Sequence, residues 1–174
     1  MWDFFETVRN RHSVRKFQSD RPIEQEKLHA ILEMSCAAPS AGDLQAYKVI
    51  VVHNEDKRKQ LQNASQDQSF ISEAPTCLVF CCEPDRSAEK YGERGRSLYA
   101  VQDATIAASY AQLAIVAAGM ASTWVGDFNE DQVRSTLDLE PQFKPVALLS
   151  IGYPAELPEL SPRRRLDEVI QYFP

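Results

Sequence analysis

Arg11-His12-Ser13-Val14-Arg15-Lys16-Phe17 follows directly on an apolar, amphipathic run at the N-terminus. Two guanidinium groups stand four residues apart around a small hydroxyl, so their donors can converge on one dianionic group when the backbone there is extended or turned. That is the chemistry of phosphate binding. A second basic cluster, Arg163-Arg164-Arg165, lies near the other end of a chain whose formal net charge is -6. Arginine concentrated at both termini of an acidic protein suggests that the ends meet over an anion. The competing reading is two solvated clusters on the surface.

The composition bounds the alternatives. With 174 residues, 44% hydrophobic and 25% charged, the chain fits a single globular domain over residues 1–174. The negative balance argues against a nucleic-acid partner, which would need a basic face. The N-terminus lacks the charged start and apolar core of a signal peptide, and no apolar run reaches the ~18 residues of a membrane span. A cytoplasmic protein without a membrane partner is therefore expected. Cys36, Cys77, Cys81 and Cys82 have no C-x-x-C spacing, and three of them lie in an apolar run. They read as packed, reduced thiols. His12, His29 and His53 have no metal-ligand spacing. No G-x-G-x-x-G or P-loop segment is present, so a bound phosphate would be held mainly by side chains.

Trp2, Phe4, Phe5 and Val8 fit one face of a helix ending near Asn10, which would fix the position of the basic cluster. Pro22 in a first helical turn, then Ile23, Leu28, Ile31, Leu32 and Met34, marks a second helix ending before Pro39. Pro39-Ser40-Ala41-Gly42-Asp43 reads as a loop. Strands are expected over residues 48–53, 76–82, 121–125, 146–151 and 169–173. Asn54 caps a helix over 55–63, and Asn129 with Gln132 opens another. Residues 83–96 alternate acids and bases and read as a solvated loop with some helix; residues 157–162 read as a proline-rich surface crossing. Residues 101–120 are alanine-rich and apolar on nearly every side, with Asp103, Thr105, Ser109 and Gln112 as exceptions. Such a helix is either a core helix or one that partly meets a second subunit.

The opening basic segment, Ala38-Pro39-Ser40-Ala41-Gly42-Asp43-Leu44-Gln45, Gly119-Met120-Ala121-Ser122-Thr123-Trp124-Val125-Gly126 and Arg163-Arg164-Arg165-Leu166-Asp167-Glu168-Val169 occur in this order across almost the whole chain. In order and spacing they resemble the FMN-dependent nitroreductase family. The resemblance implies an α+β fold with a central, mainly antiparallel sheet flanked by helices. It also implies an intertwined homodimer carrying two FMN sites at the subunit interface.

By resemblance, Arg11 and Ser13 hold the FMN phosphate and nearby ribityl oxygens, joined by Arg163 or Arg164, with His12 in the same loop. Arg15 resembles the cation near N1 and O2 of the flavin ring. Pro39, Ser40 and Ala41 match the loop that reaches the flavin from the partner subunit, and Gln45 matches a residue at the ring's polar edge. Trp124, Val125 and Gly126 match the segment beside the ring, and Gln68 falls in a flavin-contacting stretch. Asp43 departs from the family's usual asparagine, and Ala46 and Tyr47 replace its frequent Pro-Trp pair.

The activity so implied is an oxidoreductase in which NADH or NADPH delivers hydride to FMN and a small electron-poor acceptor, a nitroaromatic or quinone, then takes the electrons in a ping-pong cycle. With the chemistry on the cofactor, no catalytic triad is required. The alternatives are a non-catalytic flavin-binding protein and a family member with other flavin redox chemistry.

Overall fold

The computed structural model describes residues 3–156 and 161–173. Helix α1 (Phe4–Asn10) is followed by α2 (Gln25–Cys36), a short 3-10 turn (Ala41–Asp43), β1 (Tyr47–Val52), α3 (Glu55–Ala64), α4 (Phe70–Glu73) and β2 (Thr76–Cys82). The chain continues through α5 (Pro84–Arg94), a π-helical turn (Gly95–Tyr99), α6 (Ala100–Ala117), β3 (Ala121–Val125), α7 (Glu130–Leu137), β4 (Lys144–Gly152) and α8 (Leu166–Val169). The strands form one four-stranded sheet in the order β1-β2-β4-β3, with every neighbouring pair antiparallel. This is an α+β arrangement with helices on both faces.

Alternation along β2 sorts its side chains between two cores. Cys77, Val79 and Cys81 pack with Leu61, Phe70, Ile71 and Val133 from α3, α4 and α7. Leu78 and Phe80 pack with Leu28 and Ile31 of α2 and Ala107, Ala111 and Ile115 of α6. Every residue of β2 is buried, which explains its unbroken apolar sequence. Fully burying a large apolar side chain such as Phe80 or Leu78 contributes roughly 1.5–3 kcal/mol. The four cysteines are free thiols, and burial pushes Cys77 and Cys81 up to about 12. These two are therefore poor thiolates at neutral pH.

The expected caps form. Asn54 Oδ1 accepts the Lys57 N–H at 2.9 Å and Asn129 Oδ1 accepts the Gln132 N–H at 3.0 Å. Three expectations need correction. The second helix begins at Gln25, leaving Pro22 outside it. Residues 83–96 are chiefly helical: Pro84 starts α5, whose charges line its solvent side while Ser87 is buried, and Arg96 pairs with Asp85 and Glu93. Residues 169–173 form no strand. Val169 ends α8, and Ile170 is extended without a ladder partner among the described residues. A strand needs a neighbour for its backbone groups, and the described chain supplies none there. Trp2 and residues 157–160 of the surface crossing lie outside the described residues.

Candidate functional site

Residues 11–18 leave α1 and thread between the edge of β3 and the chain that exits β4. Arg11 ends α1 in an extended conformation, so the helix aims the basic segment at the sheet. Ser13 bridges Ser122 in parallel, the Val14 N–H donates to the Ser122 carbonyl at 3.3 Å, and the Thr123 hydroxyl donates to the Val14 carbonyl. Further on, Phe17 bridges Pro154 and the Gln18 N–H donates to the Tyr153 carbonyl at 2.9 Å. Val14 and Phe17 are buried while Ser13, Arg15 and Lys16 are exposed. Two apolar anchors thus hold a short ribbon that presents its polar side chains outward.

The chain end past Tyr153 is anchored in turn. The Tyr153 hydroxyl donates to Glu24 at 2.5 Å and accepts from Lys27 Nζ at 2.6 Å, with the Arg21 guanidinium 3.3 Å from its ring centroid. The bond from Tyr153 is the first cause holding the Glu24 carboxyl down at about 2.

The two basic clusters lie close enough for the charges of Arg11 and Arg163 to interact. Arg11, half-buried, has its pKa lowered by burial and then by the charge of Arg163. Neither guanidinium has a carboxylate partner among the described residues, and Arg163 donates only to the Ser161 carbonyl, at 3.1 Å. Two like charges held together without an acid form a pair that an anion would stabilise. Arg164 and Arg165 are engaged otherwise. Arg164 bonds the Glu168 carbonyl at 2.7 Å and carboxylate at 3.4 Å, and Arg165 makes two bonds to Asp167, at 3.1 and 2.8 Å. His12 is half-buried beside Arg11.

β3 is an edge strand whose outer side, among the described residues, is occupied at its start, where the Ser122 carbonyl accepts the Val14 N–H. Residues two apart on a strand direct their backbone groups to the same side, so the Trp124 N–H and C=O face the open edge beyond the basic ribbon. Val125 is buried and Gly126 is exposed just past the strand. Gln68 lies between Ala64 and Phe70, which share a core with Val14 and Phe17, so it belongs to this side of the molecule. Its amide donates to the Ser65 carbonyl at 3.0 Å.

The segment Pro39–Gln45 lies elsewhere. It enters β1, which is the opposite edge of the sheet from β3. Three inter-strand steps of ~4.8 Å separate the two edges by about 14 Å. A buried acid of α6 holds this loop: Asp103 accepts the Ala41 N–H on Oδ1 at 2.9 Å and the Ala46 N–H on Oδ2 at 3.3 Å. The Ser40 hydroxyl accepts the Gln45 N–H at 3.0 Å, and the Gln45 side chain donates to the Cys36 carbonyl at 2.9 Å. Gly42, Asp43 and Gln45 all have left-handed φ, near 57°, 57° and 47°. A Cβ at Gly42 would collide with the Tyr91 hydroxyl and Lys90 Nζ, so α5 closes on the loop there. Asp43 is exposed with no ion-pair partner among the described residues.

No local pattern marks Asp103 as the anchor of this loop, beyond its being an acid in an otherwise apolar helix. Among the described residues the outer stripe of α6 is uncovered. Tyr110, Leu113, Ala114 and Ala117 line an apolar groove of about 470 Å³ with Phe4 of α1 and Met34 of α2. Among the described residues no helix is long and apolar enough to cross a membrane, and no group of three His, Cys, Asp or Glu side chains is placed to hold a metal.

A sheet of this topology, carrying a cationic ribbon on one edge and a strained loop on the other, matches known proteins along its length. The model of the nitroreductase family matches residues 8–83 and 66–153. The chain belongs to that FMN-dependent family. It is 31% identical over 160 residues to a Methanothermobacter thermautotrophicus protein, covering 90% of this chain and 80% of that one. That relative is named as a proposed NADH dehydrogenase/NAD(P)H nitroreductase. An NADH dehydrogenase of Thermus thermophilus is 28% identical, with 92% and 91% of the two chains covered. Among solved structures, nitroreductase A from Vibrio parahaemolyticus superposes with a TM-score of 0.89 at 28% identity, covering 99% of this chain and 76% of that one. NfrA2 of B. megaterium gives 0.90 at 25% identity, covering 98% and 74%.

Proposed function

We propose that this protein is an FMN-dependent NAD(P)H oxidoreductase that reduces small, flat, electron-poor acceptors such as nitroaromatics or quinones and works as a homodimer with two flavin sites. The observation that carries the reading is the like-charge interaction of Arg11 with Arg163, neither of which has a carboxylate partner among the described residues, at the start of the ribbon that bridges β3.

In this reading Arg11, Ser13 and Arg163 bind the FMN phosphate, each charge-assisted bond contributing roughly 1.5–3 kcal/mol. His12 lines the same loop. Arg15 supplies the cation that favours negative charge on the reduced ring, and the backbone of Trp124, Val125 and Gly126 borders the ring from the open strand edge. FMN held by these residues would supply the redox chemistry, a two-electron relay between NADH or NADPH and the acceptor. Arg164, already bonded to Glu168, is the weaker candidate for the phosphate.

The separation of the ribbon and the loop before β1 within one chain supports the homodimer. Pro39, Ser40, Ala41, Asp43 and Gln45 lie across the sheet from the basic ribbon, which supports a site that combines the ribbon of one chain with the loop of another. The groove of Phe4, Met34 and Tyr110 and the exposed Leu166, Val169, Ile170, Tyr172 and Phe173 of the C-terminal arm are apolar surfaces suited to such an interface.

The test is the visible spectrum of the protein after incubation with FMN and exhaustive desalting, followed by anaerobic titration with NADH and with NADPH. Retained flavin near one FMN per chain that bleaches with either nicotinamide, and reoxidises with a quinone or nitroaromatic, supports the reading. A colourless protein refutes it. Bound flavin that resists both nicotinamides identifies a non-catalytic flavin-binding protein instead.

A further inference from the structure

Residues 15–18 and 153–156 run antiparallel in one constant register. Gln18 donates its N–H to the Tyr153 carbonyl at 2.9 Å, Phe17 bridges Pro154, and the Lys16 carbonyl accepts the Ala155 N–H at 2.9 Å. The next position sets Arg15 beside Glu156; the alternation of an antiparallel pair gives the Arg15 N–H no backbone acceptor on the facing strand there, and a side chain supplies one. The Arg15 N–H donates to Glu156 Oε1 at 3.0 Å, while Oε2 lies 3.8 Å from Lys16 Nζ. Beyond this position residues 13–14 turn to β3, and the other chain leads on to Arg163.

We propose that Glu156 is a positioning residue of the flavin site, fixing through the Arg15 N–H the backbone from which the Arg15 guanidinium is presented. The proposal rests on the FMN reading above.

Charge and geometry act in opposite directions at this position. A carboxylate beside Arg15 and Lys16 weakens the field that draws an anion in. Any gain from Glu156 must therefore come through geometry. The contact to Lys16 offers little, because that side chain is 74% exposed. The bond to the Arg15 N–H is charge-assisted and about twice as strong as a neutral one, and the Glu156 side chain is only 32% exposed. Without it, the Arg15 N–H has no protein acceptor among the described residues, and Arg15 is held only through its neighbours Val14 and Lys16.

Two substitutions separate the effects. Glu156→Ala removes both bond and charge; Glu156→Gln keeps an acceptor oxygen and removes the charge alone. The full-length apo protein is compared with both variants by amide hydrogen exchange at Arg15, by FMN titration with fluorescence quenching, and by the flavin midpoint potential. For Glu156→Ala the Arg15 amide should exchange about 10-fold faster and FMN should bind about 10-fold more weakly, as loss of one charge-assisted bond implies. Glu156→Gln should keep Arg15 exchange within about 3-fold of the parent, bind FMN at least as tightly, and show a more positive potential. Unchanged Arg15 exchange in Glu156→Ala overturns the proposal. So does an affinity loss in Glu156→Gln equal to that in Glu156→Ala, since charge and not the bond would then be the cause. If the parent itself fails to bind FMN, the functional reading falls, and the exchange comparison still decides whether Glu156 holds Arg15.

Discussion

Replacing Asp103 by alanine tests whether one buried side chain of α6 holds the strained loop before β1. Its two oxygens accept the Ala41 and Ala46 N–H groups at 2.9 and 3.3 Å, and Asp103 is only 2% exposed. Hydrogen bonds to a charged group contribute about 1.5–3 kcal/mol each, so two give roughly 3–6 kcal/mol. Relief of the carboxylate's desolvation offsets part of that, which leaves a net loss of about 2–4 kcal/mol. For a chain of this size, about 2–4 °C of Tm accompanies each kcal/mol, so Asp103→Ala should melt about 4–16 °C lower. Asp103→Asn should fall between alanine and the parent, because it keeps one acceptor and turns an amide donor toward the other N–H. The assay is urea and thermal unfolding at one fixed protein concentration, since self-association would couple stability to concentration. A loss below ~0.5 kcal/mol, the usual range for surface substitutions, would refute the anchoring role.

The remaining predictions concern the basic ribbon and its support. Arg163→Ala should weaken FMN binding about 10-fold, the loss of one charge-assisted bond, whereas Arg164→Ala should change it less than 3-fold; equal effects in the titration would reject the distinction drawn from their partners. Arg15→Ala should lower the flavin midpoint potential. A cation ~4 Å away at an effective dielectric of 20 is worth at most ~4 kcal/mol, or roughly 90 mV for two electrons, and an unchanged potential with FMN bound would remove Arg15 from that role. Glu24 has a folded pKa of about 2 against its ordinary 4.5. Its contribution to stability is therefore complete above about pH 4.5 and disappears as pH falls through about 2. Unfolding measured against pH should show the gap between parent and Glu24→Gln closing across that window; a constant gap would mean that the bond from Tyr153 does not act through the charge of Glu24.

Elements whose pattern is local were legible in the sequence. β2 and β3 occupy the expected residues, and Asn54 and Asn129 cap as expected, because a short strand-forming run and N-cap chemistry involve only neighbouring residues. The helical character of residues 84–94 was hidden by their charge, since a helix with one buried edge and many ions scores as solvated surface in a simple alternation count. The tail showed the opposite failure: Val169, Ile170 and Tyr172 look strand-forming, yet no neighbouring strand is supplied within the described chain. The pairing of Arg164 with Glu168 and of Arg165 with Asp167 is local, and its spacing was open to inspection.

By itself, the sequence determined the chemistry on offer: an acidic chain with two arginine clusters, a glycine-bearing loop, an apolar helix and four segments in the order of one flavin-dependent family. Tertiary structure alone decided which of those groups share a place. The charges of Arg11 and Arg163 interact, while Pro39–Gln45 goes to the far edge of the sheet. Asp103 closes the loop across 62 and 57 residues of chain, and Glu156 reaches Arg15 across 141. In each case the partner is a backbone N–H, which every residue except proline carries. Such a donor leaves no mark in the sequence, and only the path of the folded chain selects the carboxylate that meets it.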